Sequence, residues 1–186
     1  MSVNQFADWS SSEYNKLLNF RTSSAKGYAA IPVPKVSGPN KYIRYNNGTK
    51  FNNTNWVNNG VSPVVYDQGK CGAGYAFASQ GALGAAWKQY SGNAVNFSVS
   101  QVVDCSVSFG NAGCFGGNPE NTMNYWSVNP AENQTAYAAS RANCSASKTL
   151  GVANMTVTYS YVAVNNATAL AVALMSQPII VGISAS

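Results

Sequence analysis

A chain of 186 residues, 46% of them hydrophobic, is long enough for one well-cored domain or a domain with an extension. Only 9% of residues are charged and histidine is absent, which puts serine–histidine and zinc–histidine chemistry beyond this chain acting alone. The net charge of +5 resides in residues 1–50, seven bases against two acids, and without interleaved aromatic platforms this is a solvated segment, so nucleic acid is not an expected partner.

In chain order, Ser10-Ser11-Ser12 before Glu13 reads as a helix N-terminal cap, with Tyr14, Leu17 and Leu18 on one face. Residues 21–50 hold Pro32, Pro34 and Pro39 among several Gly and Asn, and read as an extended linker. Residues 74–90 lack proline and space Ala78, Ala82, Ala85 and Ala86 helically with Leu83 and Tyr90. Gly81 and Gly84 each weaken an isolated helix by about 1 kcal/mol, so this one is expected to be buried among close neighbours.

Ser98, with Gln101 three residues later, starts a third predicted helix running to Cys105, and a fourth covers 119–127. Val157 to Val164 is β-branched and aromatic, a strand signal. Ala167 to Ser176 reads as a helix, and Gln177 to Ile183 as a buried strand. The first residues, Met1-Ser2-Val3-Asn4, show neither the basic start nor the apolar run of a signal peptide, and no stretch reaches the ~20 apolar residues of a membrane span.

Cys71, Cys105, Cys114 and Cys144 form no close pair, so disulfides rather than a metal are expected, with three pairings open. Seven sequons, at Asn47, Asn52, Asn96, Asn133, Asn143, Asn154 and Asn166, are candidate glycosylation sites. Paired cysteines and sequons together favour a secreted protein, or one of a lysosomal or vacuolar lumen. A secretory chain without a visible address implies that both ends of a longer precursor are missing from the sequence.

Five segments carry a resemblance. Asp67-Gln68-Gly69-Lys70-Cys71-Gly72-Ala73-Gly74-Tyr75-Ala76-Phe77 resembles the nucleophile signature of papain-like cysteine proteases. Asn55-Trp56 through Val64 is similar to the start of their mature domain. Ser98-Val99-Ser100-Gln101 through Cys105 and Cys114-Phe115-Gly116-Gly117-Asn118-Pro119 are similar to two later family motifs at family spacing. Asn4-Gln5-Phe6-Ala7-Asp8 resembles the end of a cathepsin L-like inhibitory propeptide.

The resemblance implies an α+β papain-like fold: a helical left domain with a central helix, plus the start of the β-barrel right domain, truncated. Residues 1–50 would be the end of the propeptide and its linker. Residues 51–186 would be the N-terminal two-thirds of the peptidase domain, ending before the family's catalytic histidine and asparagine. It implies the bridges Cys71–Cys114 and Cys105–Cys144.

The resemblance also places the nucleophile at Gly74, which has no side chain, and Tyr75 where Trp is usual. Gln68 would be a relic of the oxyanion hole. Gly116, Gly117, Asn118 and Pro119 would be relics of substrate-binding positions, although a tight loop after Cys114 equally demands glycine.

The expected function is therefore that of an inactive homologue, a pseudoprotease binding a peptide in the relic cleft or serving as a structural subunit. Its expected partner is the missing C-terminal half of the precursor, or another protein covering the interdomain face. No catalytic residue is intact, and neither a cofactor nor a metal is implied. The rival expectations are part of an active cysteine endopeptidase whose histidine-bearing half is supplied separately, and a propeptide-like protease inhibitor.

Overall fold

The computed structural model describes residues 8–16, 18, 30–34, 55–62, 64–138, 143–147, 151–152 and 155–183. Its elements are α1 (Ser11–Asn15), β1 (Ala30–Pro34), α2 (Gly74–Ser91), α3 (Val99–Cys105), α4 (Pro119–Val128), β2 (Val157–Tyr161) and α5 (Ala167–Ser176). Single turns of 3-10 helix occupy Val107–Phe109 and Gly113–Phe115.

Four of the five described α-helices start on a side-chain acceptor. Ser10 Oγ accepts from Glu13 N while the Glu13 carboxylate accepts from Ser10 N at 2.9 Å, a closed capping box for α1. Ser98 Oγ accepts from Gln101 N at 3.0 Å for α3, and Asn118 accepts from Glu120 N at 2.9 Å for α4, with Pro119 at the first turn. Asn166 accepts from Ala169 N at 2.8 Å for α5. Helix α2 is the exception, since Ala73 offers no side-chain acceptor. It stops at Gly92, whose φ of 76° closes the C-terminus with a bond to the Lys88 carbonyl.

Helix α2 lies at the centre and packs on α3, α4 and β1. Its small residues explain this: Ala76 and Ala85 are completely buried, and a Cβ on Gly84 would sit 3.2 Å from the Val95 carbonyl oxygen. Leu83, Phe97, Val102, Met123, Trp126 and Tyr137 fill the core around it. Each aromatic ring there removes on the order of 150–250 Å² from water, about 4–6 kcal/mol at the usual area coefficient.

One polar residue organises that core. Buried Gln101 donates through Nε2 to the Pro130 carbonyl at 2.9 Å, and its Oε1 accepts from Glu132 N at 3.0 Å. A buried amide with both ends satisfied fixes geometry without the penalty of an unpaired group. The Gln101 side chain is thus spent on the core rather than on closing a capping box with Ser98.

Three sequence expectations need correcting. Residues 21–50 are not wholly extended linker, because β1 within them pairs antiparallel with β2, Ala30 opposite Tyr161 and Pro34 opposite Val157. Pro32 and Pro34 are two apart and so belong to the same class of ladder pair, the one that leaves their missing N–H groups outward. The strand expected over 157–164 ends at Tyr161.

The strand expected over 177–183 does not form. Gln177 and Ile180 are buried, but Val181 and Ile183 are 55% and 79% exposed, and no strand among the described residues pairs with the segment. A strand needs a ladder partner, and β-branched composition cannot supply one. The expectations on Asn4–Ala7, Leu17, Asn47, Asn52, Asn154 and most of residues 21–50 lie outside the described residues.

Candidate functional site

The segment Asp67–Gly74 turns sharply into α2. Gly69 N donates to Asp67 Oδ1 at 2.8 Å, and Gly69 takes a φ of 58°, a left-handed turn that glycine adopts without strain. The Cys71–Cys114 disulfide, with Cα atoms 4.6 Å apart, ties this turn to the Gly113–Phe115 turn. Two hydrogen bonds run parallel to it, Gly72 N to the Cys114 carbonyl at 3.0 Å and Tyr75 Oη to the Gly113 carbonyl at 3.1 Å. The second bridge joins Cys105 to Cys144, so the connectivity is the one the resemblance implies.

Gly74 is the first residue of α2 and is exposed. A Cβ built there would meet only Gln68 Oε1, at 3.9 Å, an ordinary van der Waals contact. The backbone would therefore accept a side chain at this position, and the chain provides none. Gln68 is half-buried, and its Nε2 donates to the Cys71 carbonyl at 3.1 Å. Its donor is thus turned onto its own loop, while its carbonyl oxygen faces Gly74.

Gly116, Gly117, Asn118 and Pro119 are all buried. Asn118 and Pro119 start α4, and the Gly116 carbonyl accepts from Ala112 N at 2.9 Å. Behind them lies Asn111, which nothing in the sequence singles out, because Asn is common throughout the chain. Its Nδ2 donates to Ser106 Oγ at 2.8 Å and to Thr122 Oγ1 at 3.2 Å, and its Oδ1 accepts from Asn118 N at 2.8 Å. A Cβ on Gly117 would collide with Asn111 Oδ1 and touch the Tyr75 ring. Tyr75 itself is buried, and desolvation pushes its hydroxyl up to about 12.

These parts have a definite arrangement: a disulfide-pinned turn carrying a glutamine, the start of an 18-residue central helix beside it, and a double-glycine segment packed against the second residue of that helix. Residues 51–186 match the profile described as papain family cysteine protease. The chain belongs to the papain family.

Among papain-family relatives it is 30% identical to a cathepsin L-like proteinase of Fasciola hepatica over 161 residues, 86% of this chain and 47% of that protein. It is 35% identical to the thiol protease aleurain of Arabidopsis thaliana over 127 residues, 67% of this chain and 32% of that one. The solved digestive procathepsin L2 proteinase of Tenebrio molitor larval midgut superposes with a TM-score of 0.62 at 25% identity, covering 82% of this chain and 49% of that one. The chain thus spans about half the length of these relatives or less, and its mixed helix-and-strand architecture is the α+β papain-like fold.

Among the described residues, no three His, Cys, Asp or Glu side chains cluster as metal ligands. No helix among them is long and apolar enough to cross a membrane. Of the sequons, Asn143 and Asn166 are exposed, and Asn96 and Asn133 are half-buried.

Proposed function

We propose that this papain-family chain is a pseudoprotease that acts as a binding or structural subunit, not as a peptidase. One observation carries the reading: at the start of α2, where the family signature would place its nucleophile, Gly74 offers only backbone. A thiolate at a helix N-terminus draws its reactivity from the helix dipole and an imidazolium beside it. This chain has neither the sulfur nor any histidine. The turned-in Gln68 amide and the buried Gly116–Pro119 segment weigh against an open peptide cleft as the point of contact.

An apolar surface elsewhere supports association with a protein. Helix α5 has no buried residue, Val172 and Leu174 on it are about two-fifths exposed, and Val164, Val181 and Ile183, close to it in sequence, are more exposed still. We read this concentration of exposed apolar side chains in one stretch of chain as a candidate interaction surface. The expected occupant is the remaining half of a papain-like precursor carried by another chain. Two disulfides and the sequons support a secreted, lysosomal or vacuolar lumenal setting.

The test compares the native chain with the Gly74→Cys variant. Neither is expected to cleave peptides, because no histidine serves either one, while the variant alone should react with a family epoxide or a simple thiol reagent. Thiol-dependent cleavage by the native chain would overturn the reading in favour of a peptidase whose histidine comes from a separate half.

A further inference from the structure

We propose that Asn166 carries an N-linked oligosaccharide, and that Asn96 and Asn133 do not; the proposal rests on the lumenal setting argued above. The sequon Asn166-Ala167-Thr168 is exposed at all three residues. It follows Asn165, whose φ of 55° makes a left-handed turn just before α5 begins. The Asn166 side chain is divided in a way that suits modification. Its Oδ1 accepts from Ala169 N at 2.8 Å as the cap of α5, while its Nδ2 makes no hydrogen bond to a described residue. Substitution at Nδ2 leaves the amide carbonyl, and so the cap, in place.

The other described sequons differ from it in burial or in the residue at their centre. Asn96 is followed by Phe97 and Ser98, 1% and 0% exposed, and the Ser98 hydroxyl is held by α3 and the Tyr137 carbonyl. Asn133 also accepts through Oδ1, from Thr135 N, Thr135 Oγ1 and Ala136 N, so what separates it from Asn166 is that it is half-buried. The Asn143 sequon contains Cys144, bonded to Cys105, so oxidation competes with sugar transfer there. A bulky sugar is compatible with the folded chain only where the asparagine itself stands well in solvent, and Asn96 and Asn133 are both half-buried.

The donor is a lipid-pyrophosphate-linked oligosaccharide. A bond forms between the anomeric carbon of its first sugar and Asn166 Nδ2, and the bond from that carbon to the pyrophosphate oxygen breaks. The pyrophosphate leaves with the electron pair, and the proton lost by Nδ2 is taken up by base.

The experiment expresses the full chain behind a cleavable secretion signal in a eukaryotic host and maps peptides after enzymatic deglycosylation, which converts each occupied Asn to Asp. Conversion at Asn166 and not at Asn96 or Asn133 is the expected result. Thr168→Ala should remove one glycan mass while leaving the helical circular dichroism unchanged, since Asn166 stays to cap α5. A secreted, doubly bridged chain with Asn166 bare, or with Asn96 or Asn133 converted, overturns the proposal. Free thiols at all four cysteines in material from the native source would instead overturn the lumenal setting, which separates the two failures.

Discussion

Two glycines at the site have opposite reasons for being there. At Gly117 the space a Cβ would need is already taken by Asn111 Oδ1 and the Tyr75 ring, so packing dictates glycine. At Gly74 the backbone has no positive φ and the space is open, so nothing in the fold demands glycine. Gly117→Ala and Asn111→Ala should each destabilise the chain by about 1–3 kcal/mol, the first by steric overlap and the second by orphaning the buried Asn118 N–H. The double variant should lose less than their sum, because removing the Asn111 side chain makes room for the new methyl. Urea unfolding of the four proteins measures this coupling, and strict additivity would refute Asn111 as the reason for the glycine.

Helices α2 and α4 each carry a buried tyrosine, Tyr75 and Tyr125, whose hydroxyl burial pushes up to about 12. An unfolded tyrosine ionises near pH 10, so above that the unfolded chain surrenders protons that the folded chain keeps. Stability is then intact below about pH 10 and is lost as pH rises towards about 12. The urea midpoint should fall between about pH 10 and pH 12, and Tyr75→Phe should flatten part of that fall. A midpoint that holds steady over this range would refute the burial of these hydroxyls.

Helices were the legible elements, because α2, α3, α4 and α5 each announce themselves through caps, proline placement or apolar spacing within a few residues. The failures were long-range. The pairing of β1 with β2 joins residues more than a hundred positions apart, and two prolines disguise one partner. The Gln177–Ile183 segment has strand composition without a neighbour, which local pattern does not reveal. At the site, Gly74 and Gln68 could be placed from the motif. The roles of Asn111 and Gln101 depend on which buried groups meet across the core, and sequence spacing carries no trace of that.

For the molecule as a whole, the two bridges stand over a modest core. Each closes a loop of about forty residues, with separations of 43 and 39. Loop closure of that size is worth about 4 kcal/mol in the chain-entropy account, so both together rival the whole stability of an ordinary domain. Reduction is therefore expected to abolish the cooperative urea transition, and an unchanged midpoint under reducing conditions would show that the core suffices alone.

The ladder between β1 and β2 also changes what maturation would mean for this protein. Removing the first fifty residues would not trim a loose tail, because it would take away one of the two strands in the described sheet and leave Val157–Tyr161 with open main-chain donors and acceptors. A convertase acting there would in the same step unmask an adhesive edge beside α4, coupling proteolytic processing to recruitment of whatever segment next fills the vacancy.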